Sequence, residues 1–125
     1  MDIKHKIVKA CNKNRNEEIC GFIIYKDGQF DVHECENRAE DKENEFYIPA
    51  KDFLYVKNNY NIVGVYHSHT ETEEDPSEFD KKMSNLVCLQ FIIYSYKTQK
   101  FSIFEPEFLD CEKELLEKIR KEIND

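Results

Sequence analysis

Two histidines and an aspartate are the residues of this chain whose types and spacing best suit metal chemistry. His67 and His69 follow an apolar run, 62–66, that has the character of a central strand covered on both faces. If the strand continues, residues two apart project from one face about 6.6 Å apart, so both imidazoles can bind one ion. Asp80, eleven residues later, lies in the first turn of a predicted helix and can supply a third ligand. Two imidazoles and one carboxylate leave the fourth position of tetrahedral zinc open, which is typical of a catalytic site.

A glutamate is the candidate general base. Water bound to such a zinc ion becomes acidic enough to attack a carbonyl at neutral pH, provided that a proton acceptor lies beside it. Glu18 precedes an apolar strand, 19–25, which would bring it next to the metal if that strand lies alongside 62–66. Glu17 is a competing choice.

A serine completes the candidate site. Ser77 lies three residues before Asp80, and its hydroxyl can point at the developing oxyanion and stabilise it. The same pair also satisfies the rule for a capping box at a helix start. Both roles are compatible, because a helix start is a rigid place to hold a ligand.

Apolar periodicity predicts the elements that must position these side chains. Residues at helical spacing indicate amphipathic helices, and a proline at a first helical turn forfeits no needed hydrogen bond. Apolar runs bounded by turn signals indicate strands. We expect helices from Ile3, from Pro49, from Pro76 and over 115–123, strands at 19–25, 30–32, 46–48, 62–66, 89–96 and 101–104, and an exposed loop at 36–45. These elements predict one α/β (α+β) domain over 1–125, a mixed β-sheet flanked by helices.

Composition excludes several classes of function. Against 26 Asp and Glu stand 18 Lys and Arg, for a net charge of −8, so nucleic acid and anionic membrane surfaces are poor partners. The chain has no apolar window of about 18 residues and no secretory signal, so we expect a soluble protein of the cytoplasm. Five cysteines without a C-x-x-C pair indicate buried thiols in a reducing compartment rather than a disulfide framework.

The candidate residues together resemble the JAMM (MPN+) metalloprotease motif. That motif is a glutamate, then H-S/T-H, seven residues, a serine, two residues and an aspartate, and every position is matched here. The resemblance implies that His67, His69 and Asp80 bind one zinc ion per chain. It implies that Glu18 passes the water proton to the leaving amine and that Ser77 stabilises the oxyanion. It also implies the cytidine deaminase-like JAB/MPN fold and hydrolysis of a peptide or isopeptide bond.

One position departs from the pattern of that family. Thr70 stands where many members have a proline after the second histidine. A threonine should make the following loop less rigid. We therefore expect an effect on catalytic rate rather than on metal binding.

A narrower resemblance is to the N-terminal half of the tail assembly K proteins of lambda-like phages, over about residues 15–106. Four segments carry it: 35–39, 46–52, 65–69 and 76–80. Those proteins usually continue into an NlpC-type cysteine peptidase domain, which 125 residues are too few to hold. The resemblance implies a role in phage tail assembly, with a peptidoglycan stem peptide as a possible substrate and the host cytoplasm or the virion tail as the location.

Other functions fit part of the same residues. An isopeptidase that removes ubiquitin-like modifiers would need the same site, and a non-catalytic MPN scaffold could keep it idle. Two histidines and a carboxylate also form the facial triad of non-haem iron oxygenases, although three glycines and several helices argue against such a barrel.

Several other residues have ordinary interpretations that we prefer. His33 suggests a second metal site, but a hairpin-surface histidine is commoner. Cys20 fits a small buried hydrophobe better than a nucleophile. The acidic stretch 71–75 can attract a lysine or diamino-acid amine, or it is a solvated loop.

Overall fold

A five-stranded mixed sheet with helices on both faces forms the centre of the protein, whose computed structural model describes residues 2–124. The strands are β1 (Cys20–Lys26), β2 (Gln29–Cys35), β3 (Asn61–His69), β4 (Phe91–Ser95) and β5 (Phe101–Phe104). The helices are α1 (Ile3–Cys11), α2 (Ala50–Asn59), α3 (Glu78–Val87) and α4 (Lys113–Asn124). The strand order is β2-β1-β3-β4-β5, and only the β3–β4 pair is parallel. The predicted mixed sheet flanked by helices is confirmed.

The β1–β2 hairpin forms as the sequence predicts. Asp27 and Gly28 connect the paired residues Lys26 and Gln29, and both have positive φ angles, 52° and 80°. A two-residue turn of this kind matches the right-handed twist of the strands it joins. The first strand of the hairpin is buried over its first five residues.

Two apolar clusters separate the faces of the sheet. On one face, α1 and α4 bury aliphatic side chains at helical spacing, among them Ile7 and Ile119. On the other face, α2 and α3 pack Phe53, Val56 and Met83 against β1, β3 and β4. Strands covered on both sides explain the continuous apolar runs of β1 and β3.

A β-bulge interrupts the pairing of β1 with β3. Ile23 is opposite Gly64, whereas Ile24 is opposite Ile62, so Val63 is an extra residue on β3. A bulge of this kind shifts the alternation of side chains between the two faces. Val63 and Val65 therefore belong to the clusters on opposite faces, although strict alternation would place them on the same face.

The shift after the bulge determines which face the end of β3 presents. Val65 belongs to the cluster under α2 and α3, whereas Tyr66 belongs to the cluster under α1 and α4. With strand alternation from Val65 onward, His67 and His69 lie on the same face as α3. Because α3 is the crossover between the parallel strands β3 and β4, its N-terminus lies near the C-terminal end of β3.

The strand predicted at 46–48 is wrong. These residues form no strand and are part of an extended loop. Their backbone groups bond to the preceding part of the same loop: the Arg38 N–H donates to the Tyr47 carbonyl over 3.0 Å. Phe46 is nevertheless buried, because its ring packs into the site described below.

The cysteines agree only in part with the expectation of buried thiols. All five cysteines are free thiols, of which Cys11 and Cys20 are buried and the others half-buried. Within residues 2–124, no helix is long and apolar enough to cross a membrane.

A methyl group added at Gly21 should destabilise the fold. An alanine Cβ there would lie against the His33 backbone oxygen and 2.7 Å from the Tyr66 ring and hydroxyl. We expect Gly21→Ala to lower the free energy of unfolding by about 1–3 kcal/mol, measured by urea denaturation. Gly64→Ala is the matched comparison. Its Cβ would lie 3.0 Å from Gln90, a tight contact but a longer one than those at Gly21, so we expect a smaller loss of stability. Equal stability of Gly21→Ala and the wild-type chain would contradict this packing.

Candidate metal centre

The two histidines lie at the buried C-terminal end of β3. His67 has 0% of its surface exposed and His69 has 6%. They are opposite Ile93 and Ser95 of β4 in the parallel ladder, so the backbone that carries them is held by sheet hydrogen bonds. The expected convergence of two imidazoles at the end of a central strand is therefore what the structure shows.

Asp80 reaches the same place from the first turn of α3. The Ser77 hydroxyl oxygen accepts a hydrogen bond from the Asp80 N–H over 3.0 Å, and Asp80 Oδ2 accepts one from the Ser77 N–H over 2.9 Å. This is the capping box foreseen in the sequence. It orients the Asp80 carboxylate, which is 2% exposed, toward the end of β3.

The three side chains bring one ligand atom each within 4.8 Å of one another. Nε2 of His67 lies 3.0 Å from Asp80 Oδ1, and Nε2 of His69 lies 3.0 Å from Asp80 Oδ2. Two atoms bound to one tetrahedral zinc ion at about 2.0–2.1 Å stand about 3.3 Å apart, so these separations are close to those of a shared ion.

The His67 ring supplies a second sign that the site fits a cation. Neither of its nitrogens has an aligned hydrogen-bond partner, although both are fully buried. Buried polar atoms without a partner are rare and call for an explanation. Ligand atoms directed at a common ion approach each other closely without an aligned hydrogen bond, which explains the 3.0 Å contact of His67 Nε2 with Asp80 Oδ1. The contact of His69 Nε2 with Asp80 Oδ2, in contrast, has hydrogen-bond geometry. The residues present therefore fit a zinc ion.

The charges of the site favour a paired state of carboxylate and imidazole. Burial raises the pKa of Asp80, but its contacts with His67 and His69 more than offset this and hold that pKa well below its usual range. Burial lowers the pKa of His67, whereas its contacts with Asp80 and Glu18 raise it, and the result is a pKa of about 9. A cation that binds these ligands must displace a ring proton, so its binding releases protons.

Neighbouring groups orient both rings. Nδ1 of His69 lies 2.7 Å from the Glu73 carbonyl oxygen and donates to it, so Nε2 is the ring nitrogen that can bind a metal. The Phe46 ring stacks on His67 with centroids 4.5 Å apart and an angle of 27°. Phe91 meets the same ring edge-on, with centroids 5.8 Å apart.

Glu18 lies beside these ligands. Its Oε1 is 3.3 Å from Nδ1 of His67, and the side chain is almost fully buried. Its position just before β1, which pairs with β3, accounts for the placement expected from the sequence. Glu17 is not among the residues that line the cleft at this site, whereas Glu18 is.

A cleft of about 320 Å³ opens onto the candidate centre. Its walls include Glu18, His69, Ser77 and Asp80, and no lysine or arginine lines it. An apolar cavity of about 60 Å³ lies behind Phe46. It is lined by apolar and aromatic side chains, so the groups capable of metal chemistry are those of the larger cleft.

Thr70 connects two loops at the rim of this cleft. Its hydroxyl donates to the Glu43 carbonyl oxygen over 2.9 Å, a bond that a proline cannot make. The bond joins the end of β3 to the loop that precedes α2. The expectation that Thr70 loosens its loop and slows the reaction stays a prediction.

The other candidate residues lie outside the centre. Among the described residues, the group able to hold a metal is His67, His69 and Asp80, and His33 instead packs beside the rings of Tyr55 and Tyr60. Cys20 is buried, which raises its pKa above the ordinary value, as expected of an inert thiol.

The sequence does not predict three groups that support the site. They are the Phe46 ring on His67, the Glu73 carbonyl that binds His69 and the buried Asn37 amide, which donates to the Glu18 carbonyl. The sequence predicts a strand at Phe46 and an exposed loop around Asn37. A backbone carbonyl has no sequence signature. For Asn37, the available signal was its place in one of the segments that resemble tail assembly proteins.

The fold and the ligand set together define a JAB/MPN domain. The family model described as prokaryotic homologs of the JAB domain matches residues 2–106, and the chain belongs to that family. Tail tip assembly protein K of Escherichia phage N15 is 24% identical over 89 residues, which are 71% of this chain and 37% of that protein. The chain thus spans little more than a third of that relative. The resemblance to JAMM domains and to tail assembly proteins is confirmed.

Solved structures share the fold at low identity. A Desulfitobacterium hafniense protein is similar with a TM-score of 0.58, 22% identity, and coverage of 89% of this chain and 90% of that one. A JAB1/MPN domain protein from Archaeoglobus fulgidus is similar with a TM-score of 0.54 and 15% identity, over 88% of this chain and 86% of that one. A third structure is described as JAMM, a metalloprotease-like zinc site in the proteasome and signalosome. It is similar with a TM-score of 0.52 and 16% identity, over 88% of this chain and 89% of that one. These likenesses establish the JAB/MPN fold.

Proposed function

We propose that the chain is a zinc-dependent metallopeptidase of the JAMM type that hydrolyses a peptide or isopeptide bond. The observation that carries the proposal is the convergence of His67, His69 and Asp80 within 4.8 Å, beside a cleft that Glu18 also lines. Family membership supports it, since the match covers 2–106 and includes every residue of the motif.

His67, His69 and Asp80 would hold the zinc ion. When bound, zinc supplies Lewis-acid chemistry, because it polarises a carbonyl and lowers the pKa of water. Glu18 lines the cleft beside these ligands. It would accept the proton of the attacking water and deliver it to the leaving amine, which is the work of a general base that becomes a general acid.

Ser77 would stabilise the oxyanion. Its oxygen already accepts the Asp80 N–H, so the hydroxyl hydrogen remains available to donate. Ser77 also lines the cleft, where a developing oxyanion would be within reach of that hydrogen. The cap therefore holds the Ser77 oxygen in place, while its hydroxyl hydrogen can rotate toward an oxyanion in the cleft.

The setting we propose is phage tail assembly. It is supported by the similarity to tail tip assembly protein K. The substrate would be a peptide or isopeptide-linked chain such as a peptidoglycan stem peptide, met in the host cytoplasm or at the virion tail. The net charge of −8 favours neither nucleic acid nor an anionic membrane surface as a partner.

An assay of two substrate classes tests this proposal. The zinc-loaded chain is incubated with peptidoglycan stem peptides and, separately, with conjugates of ubiquitin-like proteins, and products are identified by mass spectrometry. We expect stem-peptide cleavage that a chelator abolishes and added zinc restores. Cleavage of the conjugates alone would replace the substrate class with that of an isopeptidase. Cleavage of neither, by a zinc-loaded chain, would contradict an enzyme and favour a scaffold.

A further inference from the structure

A buried asparagine lies in the loop 36–49 between β2 and α2. Asn37 is 7% exposed, and its side-chain amide makes four hydrogen bonds to the backbone. Nδ2 donates to the carbonyls of Glu18 and Glu45, each over 2.9 Å. Oδ1 accepts from the N–H groups of Ala39 and Tyr47 over 3.0 and 3.1 Å. Two donors and two acceptor positions are all that an amide offers, so the group is fully used.

The bonds of Asn37 reach the candidate base directly. Glu18 lies before β1, whose pairing with β2 and β3 begins at Cys20, so the sheet ladder does not hold its peptide groups. Its carbonyl is held by Asn37 instead, and its N–H donates to the Lys42 carbonyl over 2.7 Å. The loop therefore holds the backbone of Glu18 on both sides.

The other bonds of Asn37 reach the ring that packs on a metal ligand. Glu45 and Tyr47 flank Phe46 in the chain, and Asn37 bonds the carbonyl of one and the N–H of the other. Phe46 in turn stacks on His67 at 4.5 Å. A single amide thus connects the backbone of the base with the segment that supports a ligand.

We propose that Asn37 is a positioning residue for the reaction, which sets the place of Glu18 relative to His67. The inference rests on the proposed function and deepens it. Asn37 lies outside the cleft walls and acts through Glu18 and Phe46. A misplacement of catalytic groups by 1 Å can cost about 10²-fold in rate. We therefore expect loss of these bonds to lower kcat while KM changes little.

Two variants distinguish loss of the Asn37 donor group from loss of the whole amide. Asn37→Asp keeps an acceptor toward Ala39 and Tyr47 but replaces the donor to Glu18 and Glu45 with an oxygen that repels both carbonyls. Asn37→Ala removes all four bonds. The matched control is Asn85→Ala, which removes another asparagine-to-backbone bond, 2.8 Å from Oδ1 to the Glu107 N–H, at a place away from the cleft.

Three readouts on the zinc-loaded chains test the proposal. We expect kcat of Asn37→Asp to fall about 10²-fold with KM within about threefold, and the visible spectrum of its cobalt-substituted form to stay that of the wild type. We also expect faster hydrogen exchange at the Glu18 amide in both variants, and at the Tyr47 amide in Asn37→Ala, which loses the acceptor of that N–H. This readout does not depend on activity. Asn85→Ala should keep kcat and the exchange rates at both amides.

Different failures point to different claims. An active wild-type chain whose kcat is unchanged by both Asn37 variants would overturn the positioning role alone. Unchanged exchange at Glu18 would overturn it as well. Loss of the cooperative thermal transition in both variants would assign Asn37 to folding and overturn the role. A wild-type chain without activity would overturn the proposed function, and the positioning role with it.

Discussion

Replacement of Glu18 with glutamine is expected to lower kcat by about 10²–10⁴-fold while zinc content stays that of the wild type. Glutamine has nearly the same shape and keeps an oxygen atom near Nδ1 of His67, which is 3.3 Å from the Glu18 carboxylate. It cannot take up a proton at neutral pH. Steady-state kinetics and elemental analysis of the same preparation measure both quantities.

Glu17→Gln provides the matched control. It makes the same chemical change one residue earlier, at a side chain outside the cleft lining. We expect its kcat to remain within about twofold of the wild-type value. Loss of zinc from Glu18→Gln would reassign Glu18 as a ligand, and an equal loss of activity in both variants would remove the basis for Glu18 as the base.

Asp80→Asn should lose the metal itself. The Asp80 carboxylate contacts both histidines at 3.0 Å, and a neutral amide is a much poorer ligand. Removal of an outer partner alone typically costs about 10–100-fold in metal affinity, so we expect a larger loss here and activity at background. Zinc affinity is measured by competition with a chromophoric chelator.

The fold of Asp80→Asn should persist. Its amide oxygen can still accept the Ser77 N–H, which keeps part of the cap of α3. Circular dichroism should therefore match the wild type. Asp110→Asn, an exposed carboxylate 4.0 Å from Lys57, is the charge control and should retain zinc. Full zinc retention by Asp80→Asn would exclude Asp80 as a ligand.

The sequence contained most of the fold because its elements are locally consistent. The positive-φ pair Asp27 and Gly28 and the apolar spacing of α1 act over a few residues, so pattern and turn chemistry are sufficient. The segment 46–48 has strand-like composition, yet its backbone bonds to residues 37 and 38. The bulge at Val63 likewise depends on pairing with β1, so strand period alone could not place the faces of β3.

The candidate ligands were predictable because their spacing maps onto one strand end and one helix start. His67 and His69 are two residues apart on a strand and therefore share a face, and the capping box of α3 holds Asp80. The supporting groups were not predictable, since they act across the fold. Asn37 bonds to Glu18 from 19 residues away, and the Glu73 carbonyl orients His69 through backbone that any residue could provide.

The proposed function depends on zinc binding two imidazoles and one carboxylate rather than any of the five free thiols. X-ray absorption at the zinc edge, on protein purified without chelator, measures this directly. We predict stoichiometric zinc with nitrogen and oxygen neighbours at about 2.0–2.1 Å and no sulfur at about 2.3 Å. A sulfur shell, or zinc far below stoichiometry, would contradict the account.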